Sequence, residues 1–335
     1  MTFTPIIAVL EPGYASYARE ADLLAAHGAR IETVGAEMDA VPTLRRLGPV
    51  AILVRERDVT AQVLDACPDL RIVVRYGVGV DNIDLTHAAT RGIYVANIPD
   101  YGAEIEVSEH ALAMYLAVQR RIPSRDIEVR RGAWGIGQAA PIPDREGATL
   151  GLIGCGRIGL AAAAKFRALG FKRVLAFDPY LAAETARVFD ITLTDLDTLC
   201  DAADVISLHA PLTPETRHIL DARRIARLKP TSIVVNVSRG GLVDETALAE
   251  ALTNGRIFGA GLDVFETEPP RPDNPLLTAP NTVLSDHAAW YSERSVRVLQ
   301  ESAACEIDRV LRGGPPTNWV NPWPESRRDN PDAKH

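Results

Sequence analysis

The sequence predicts an α/β protein of two doubly wound parallel sheets, and three observations carry that reading. Short apolar runs alternate with segments of helical period, the pattern of strands joined by helical crossovers. The alternation starts twice, once near the N-terminus and again at Thr149. A chain of 335 residues with 47% hydrophobic content also exceeds what one core usually holds, so two domains of about 100 to 200 residues are expected.

The elements follow in order. "IIAVL", "IETV", "AILVR" and "IVVRYG" read as strands, with helical segments from Ala18 to His27 and from Thr60 to Cys67 between them. A longer helical pattern runs from Glu104 to Arg121, and a Gly- and Pro-rich loop from Gly132 to Gly147 follows it. "TLGLIG", "RVLAFD", "VISLHA", "SIVVNV", "GAGLDV" and "TVLSDH" read as the second set of strands. The tail "PPTNWVNPWPESRRDNPDAKH" is polar and Pro-rich, which predicts a frayed extension whose Trp319 and Trp323 are available to a neighbour.

Composition excludes several classes of function. Against 44 Asp and Glu stand 36 Lys and Arg, a net charge of −8, and the only basic runs are the short "RRGAW" and "SRRD". That argues against nucleic acid or an anionic membrane as partner. Cys67, Cys155, Cys200 and Cys305 lack C-x-x-C spacing, which fits a reduced compartment and neither a disulfide framework nor a zinc site, so no metal is expected. "MTFTPIIAVLEPG" has no basic region before its short apolar run and reads as a first strand, and no stretch approaches the ~20 apolar residues of a membrane span. A cytoplasmic protein is the expectation.

"GLIGCGRIG" contains G-x-G-x-x-G at Gly154, Gly156 and Gly159, after an apolar strand and before the small-residue helix "LAAAAKF". In such a turn the first glycine allows the bend, the second lets backbone approach a pyrophosphate, and the third lets helix and strand pack closely. The helix N-terminus then offers N–H groups to the phosphates. Alone the pattern is weak, since glycine-rich turns also arise for steric reasons. The next strand, however, ends in Asp178, 22 positions after Gly156, where a carboxylate reaches the adenosine ribose hydroxyls and repels a 2′-phosphate. The cofactor read from this spacing is NAD. The plainer reading of Asp178 is a turn or helix cap.

Three polar residues stand at the ends of later strands, where ligands collect in open α/β sheets. Arg239 closes "IVVNVSRGG", Glu268 lies in "LDVFETEPP" and His287 closes "TVLSDHAAW". Each alone has a bland reading: a surface ion pair, a solvated turn, a satisfied core histidine. Together they make chemistry. Hydride transfer between a nicotinamide and a substrate C2 needs a proton moved at the C2 oxygen, and histidine titrates near neutrality. A carboxylate beside the imidazole orients it, and arginine supplies a fork for a carboxylate or polarised carbonyl.

The set "VVRYGVGVDNIDL", "GLIGCGRIG", "NVSRGGLVDETAL", "GAGLDVFETEPP" and "LSDHAAWYSE" resembles the D-isomer-specific 2-hydroxyacid dehydrogenases, from about residue 50 to 312. "HAAWYSE" is further similar to the branch containing the C-terminal-binding proteins, transcriptional corepressors that kept a dehydrogenase fold. The resemblance implies a flavodoxin-like substrate domain of residues 1–99 and 288–335, flanking a Rossmann NAD-binding domain of residues 100–287. It implies Arg239 as substrate anchor, Glu268 as the His-orienting carboxylate and His287 as acid/base. It implies that the loop Tyr76, Gly77, Val78 and Gly79 offers backbone N–H groups to the substrate carboxylate, although an ordinary strand-to-helix turn reads the same way. Further cofactor contacts carried over are Arg157, Ile158, Ala210, Pro211, Thr213, Val237, Asp263 and Val107. The last lies in "PDYGAEIEVSEH", which carries one residue more than the commoner family spacing.

In the corepressor-like branch the residue matching Trp290 walls the substrate pocket, which implies a medium-sized apolar 2-oxo acid such as 4-methylthio-2-oxobutyrate. By composition Trp290 is a packing residue. No Arg or Lys cluster is expected beside the Tyr76 loop, which counts against phosphoglycerate. Ile105, Leu112, Met114, Tyr115, Leu116 and Val118 predict a broad apolar helix surface, and the resemblance implies that it and "RRIPSRDIEVRRGAW" reach a second subunit of a homodimer. The expected function is an NAD-dependent D-2-hydroxyacid dehydrogenase running as a 2-oxo acid reductase. The alternatives are an NADH-sensing, corepressor-like binding module, a glycerate or phosphoglycerate dehydrogenase, and, lower, formate or phosphite oxidation.

Overall fold

The computed structural model describes residues 4–135 and 141–323. Part of the expected Gly132–Gly147 loop and the end of the tail lie outside them. The chain divides into two compact units, Met1–Tyr101 with Ser292–His335, and Gly102–Tyr291.

The first unit is built on five parallel strands, β1 (Ile6–Leu10), β2 (Arg30–Val34), β3 (Ala51–Val54), β4 (Ile72–Arg75) and β5 (Tyr94–Ala96), in the order β2-β1-β3-β4-β5. This is the flavodoxin-like order, whose direction of winding reverses between β1 and β3. β3 and β4 are buried along their whole length, as strands covered by helices on both faces must be. Residue pattern alone overlooked β5, a three-residue strand. The Glu293–Leu311 helix begins with a reciprocal cap between Ser292 and Ser295 and packs on the Ala18–Leu24 helix.

The described part of the tail corrects an expectation. Residues 317–323 are not frayed: Trp319 bridges Ala96 at the edge of β5, and Val320 N–H donates to Val95. The Asn321 side chain accepts from Val95 N–H at 2.8 Å and donates to Ile93. Trp323 stacks on Tyr94 at 4.5 Å, and Trp319 meets the same ring edge-on. Two tryptophans closing on a tyrosine bury apolar area on their own unit and cover a sheet edge that would otherwise present open backbone groups.

The second unit carries seven parallel strands, β6 (Thr149–Ile153), β7 (Arg173–Phe177), β8 (Thr192–Leu193), β9 (Val205–Leu208), β10 (Ile233–Asn236), β11 (Gly259–Leu262) and β12 (Thr282–Leu284). Their order, β12-β11-β10-β9-β6-β7-β8, is the Rossmann order extended by one strand, with its switch point between β6 and β9. β8, two residues long, was also overlooked in the sequence.

The Ala103–Gln119 helix departs from its expected role as an exposed apolar face. Met114, Tyr115 and Val118 are buried, and only Ile105 and Leu116 of the six named residues count as exposed. The reason lies in β11: a Cβ on Gly259 would meet Val118 at 2.6 Å and one on Gly261 would meet Met114 at 2.7 Å. Bare backbone in that strand lets the helix lie closer to the sheet than a side chain would allow. Tyr115 completes the packing against Phe166 and Phe171.

Candidate active site

The turn after β6 is where the switch point meets the glycine motif, and its three glycines have different causes. Gly154 has φ +85°, and a Cβ there would stand 2.5 Å from the Ala210 backbone nitrogen in the turn after β9. Gly159 lies in the first turn of the Arg157–Ala168 helix, where a Cβ would meet the Gly154 carbonyl oxygen at 2.6 Å. Gly156 has ordinary extended backbone and nothing within 4 Å of its would-be Cβ. Among the described residues nothing calls for a glycine at 156. Bare backbone beside a helix N-terminus, with the first-turn N–H groups of Arg157 and Ile158, is a cradle that a pyrophosphate would fit. Between these glycines Cys155 is inert, its thiol pushed up to about 12 by burial.

Asp178 follows β7 and faces this turn. Its Oδ2 accepts the Cys155 N–H at 2.8 Å, and its Oδ1 accepts those of Tyr180 at 2.8 Å and Leu181 at 3.2 Å. A carboxylate offers about four lone-pair positions. Three are taken here, so Oδ2 has room for one further donor such as a ribose hydroxyl. Asp178 is thus both the turn residue of the plain reading and a carboxylate with remaining acceptor capacity. Ala210 is buried beside Gly154, Pro211 is exposed, and the Thr213 hydroxyl and N–H are both engaged with Thr216. Val107 and Val237 are buried. In the same turn burial lowers His209 to about 4, so its imidazole is neutral.

The three strand-end residues all lie in this unit, after β10, β11 and β12. Gly240 makes the first junction: a Cβ there would stand 1.8 Å from the Phe265 carbonyl carbon, so the turn carrying Arg239 packs directly on the loop leading to Glu268. The Glu268 side chain closes that loop by accepting the Phe265 N–H through Oε1 at 3.0 Å. Its other oxygen is 2.7 Å from Nδ1 of His287. A carboxylate accepts only, so Nδ1 carries the proton and Nε2 is the nitrogen left for chemistry. His287 has φ +56°, a left-handed conformation uncommon outside glycine that concentrates at functional sites. One guanidinium nitrogen of Arg239 donates to the Ser238 carbonyl at 2.8 Å.

Asp263 accounts for the placement of His287. It has no exposed surface, its carbonyl accepts the His287 N–H at 2.8 Å, and its carboxylate accepts the Ala288 and Ala289 N–H groups at 2.9 Å each. The Ser285 hydroxyl donates to it at 2.5 Å and is itself 2.9 Å from His110 Nε2. The residue expected as a cofactor contact is therefore first the hub around which the 285–289 loop is wound. Ser285 and His110 were missed in the sequence, because a hydroxyl and an imidazole 175 positions apart give no local signal. Trp290 is half-buried, its ring edge-on to Tyr291 at 5.8 Å.

The loop after β4 lies in the other unit. Gly77 has φ +130°, and a Cβ there would stand 1.8 Å from a guanidinium nitrogen of Arg75. Arg75 is buried, donates to the Arg55 carbonyl at 3.2 Å and grips Glu56 at 3.1 and 3.3 Å. Val78 is exposed and Gly79 half-buried. Two arginines stand near this loop: Arg75 lies beneath Gly77, tied to Glu56, and Arg55 lines the same small pocket as Tyr76. Arg55 comes from the end of β3 and was not adjacent in sequence.

Residues 112–289 match the family model "D-isomer specific 2-hydroxyacid dehydrogenase, NAD binding domain". A glyoxylate reductase of Korarchaeum cryptofilum is 41% identical over 266 residues, covering 78% of this chain and 80% of that protein. The chain belongs to the D-isomer-specific 2-hydroxyacid dehydrogenase family. This is a family of oxidoreductases, and the Gly102–Tyr291 unit holds its NAD-binding domain. A D-3-phosphoglycerate dehydrogenase of Methanocaldococcus jannaschii is 42% identical over 264 residues, and the chain spans about half the length of that relative (78% of this chain, 50% of that one). Among solved structures, an NADPH-dependent glyoxylate/hydroxypyruvate reductase of Sinorhizobium meliloti in complex with NADP and malonate superimposes with TM-score 0.82 at 31% identity, covering 96% of this chain and 98% of that one. Among the described residues no helix is long and apolar enough to cross a membrane.

Proposed function

We propose that this family member is an NAD-dependent D-2-hydroxyacid dehydrogenase working as a 2-oxo acid reductase in the cytoplasm. The observation that carries the reading is the 2.7 Å pair of His287 and Glu268, standing after β12 and β11 in the NAD-binding unit. Bound NADH supplies the hydride for substrate C2. Negative charge then develops on the C2 oxygen, and the protonated Nε2 of His287 donates to it. Glu268 holds the ring by Nδ1 and balances the imidazolium before the proton leaves. Arg239 anchors the substrate through its guanidinium, and the backbone N–H groups of Tyr76–Gly79 receive the substrate carboxylate. Asp178 favours NAD over NADP, because a carboxylate at this position repels a 2′-phosphate. With all three reactive residues present, a pure binding module is the weaker reading.

The protein is further assigned as a homodimer. Ile122, Ile127 and Val129 on the Ile122–Arg130 helix are 46–55% exposed and Trp134 beyond it 88% exposed, more apolar surface than a lone helix face needs.

Trp290 supports a medium-sized apolar 2-oxo acid. A second reading, a phosphorylated or more strongly anionic acid, is favoured by Arg55 and Arg75 beside the Tyr76 loop and by the phosphoglycerate dehydrogenase among the relatives. NADH oxidation measured over glyoxylate, hydroxypyruvate, pyruvate, phenylpyruvate, 4-methylthio-2-oxobutyrate and 3-phosphohydroxypyruvate separates the two. Preference for the thioether acid, altered in Trp290→Ala, supports the first; preference for the phosphorylated acid, lost in Arg55→Ala, supports the second. Absence of turnover with all six contradicts the dehydrogenase reading.

A further inference from the structure

The carboxylate of Glu20 has no role in the chemistry above, yet none of its surface is exposed. Carboxylates are almost never fully buried unless partners hold them. Here the partners are neutral donors. The Tyr76 hydroxyl donates to Glu20 Oε1 at 2.7 Å, and the Gln300 side-chain amide donates to Oε2 at 3.0 Å and to the Ser16 carbonyl at 2.7 Å. Three remote segments therefore meet at one carboxylate: the Ala18–Leu24 helix, the loop after β4 and the Glu293–Leu311 helix. Burial holds the Glu20 carboxyl above its ordinary value, against the opposing pull of the hydrogen bonds from Tyr76 and Gln300.

An apolar side chain of similar volume would fill this space at lower electrostatic cost. What the carboxylate adds is direction. It holds the Tyr76 ring by its far end, while the ring stands edge-on to Tyr14 at 5.1 Å. Tyr76 opens the Gly77–Gly79 turn, and its own N–H donates to Val54 in β3. Beyond it the turn is tied at Gly77, whose carbonyl accepts the Ile98 N–H at 2.8 Å, and at Val78, whose carbonyl accepts from the Asn97 side chain at 2.6 Å. Carbonyls pinned from behind, with the leading residue fixed by its side chain, leave little freedom in where the N–H groups stand.

We propose that Glu20 is a positioning residue for the reaction: with Gln300 it anchors Tyr76, and through Tyr76 it sets where the N–H groups of the Gly77–Gly79 turn meet the substrate carboxylate. This rests on the reading of that turn as the carboxylate-binding loop. The test is a double-mutant cycle of Tyr76→Phe and Glu20→Ala on the full chain, with KM and kcat for the preferred 2-oxo acid, the Kd of NADH and the thermal midpoint all measured.

Each single variant raises KM about tenfold, the scale of one hydrogen bond to a charged group. Both leave kcat within about twofold and the NADH Kd unmoved, and the double variant is no worse than Glu20→Ala, because one interaction is removed once. Variants that fold but keep the wild-type KM, or whose effects on KM simply multiply, overturn the proposal. If Glu20→Ala does not fold, Gln300→Met takes its place in the cycle with the same expectations. Gly79→Pro, which deletes one N–H of the turn, tests the underlying reading separately. An unchanged KM there removes the loop from substrate binding altogether. A raised KM there, with Tyr76→Phe at wild-type values, overturns only the role of Glu20.

Discussion

The two glycine-bearing turns of this molecule are built by different means. The turn from Gly154 to Gly159 is shaped by its own backbone and that of the neighbouring turn: the Ala210 nitrogen excludes a side chain at 154, and the Gly154 carbonyl excludes one at 159. The turn from Gly77 to Gly79 has one backbone tie, from Ile98 N–H to the Gly77 carbonyl, and is otherwise shaped by side chains, most of them from remote segments. Arg75 excludes a side chain at 77 while Glu56 holds Arg75, and Glu20 and Gln300 fix Tyr76. The comparison teaches that a backbone-packed turn writes itself into the sequence as a spaced motif. A turn held by remote side chains leaves only its glycines behind.

The comparison can be broken most forcefully at Gly154. Gly154→Ala sets a methyl group against backbone that has no slack, at a positive φ, for a cost of ~3 kcal/mol. The thermal midpoint is expected to fall by about 6–12 °C and NADH binding to be lost with it. A stable variant with wild-type NADH affinity would show that the Ala210 contact yields. Gly77→Ala carries the same penalty of a side chain at positive φ, but its clash is with the end of the Arg75 side chain and not with backbone, so it should be milder. A tenfold rise in the KM of the 2-oxo acid, about 1.4 kcal/mol, is expected with the NADH Kd unchanged; a loss of NADH affinity there would mean that the two turns are not independent.

Gly156→Ala sharpens the contrast from the other side. With nothing within 4 Å of the new methyl, folding stability should stay within about 0.5 kcal/mol of wild type. NADH affinity, read by fluorescence titration, should nevertheless fall about tenfold, because the methyl occupies the approach of the pyrophosphate. A destabilised protein, or one that binds NADH as before, would remove the argument that this glycine answers to a ligand.

The same contrast explains how much was legible in advance. Strands such as Ala51–Val54 and Ile233–Asn236 are buried on both faces, so their apolar runs stand out, and both parallel sheets follow from the alternation with helices. Tyr94–Ala96 and Thr192–Leu193 are too short to carry any pattern. Arg239, Glu268 and His287 could be proposed from the sequence because each follows a readable strand, and the structure pairs the last two. Asp263 was found with a different role in view, since a carboxylate that holds a loop by its N–H groups looks in sequence like one that meets a ligand. Glu20, His110 and Arg75 were not found, because their partners are fixed by tertiary packing. The Trp319 and Trp323 tail was misread for the same reason: its polarity is visible in the chain, but the Tyr94 ring that receives it is 225 positions from Trp319.

The account turns on His287 as the group that moves the proton, held by Glu268. The most direct measurement is the kcat of His287→Ala against wild type with the best 2-oxo acid and saturating NADH, alongside the NADH Kd of both. A fall in kcat of about a thousandfold with the NADH Kd within about twofold is expected, the scale of a lost general acid in an otherwise intact cofactor site. Turnover near that of the wild type on every accepted 2-oxo acid would contradict it.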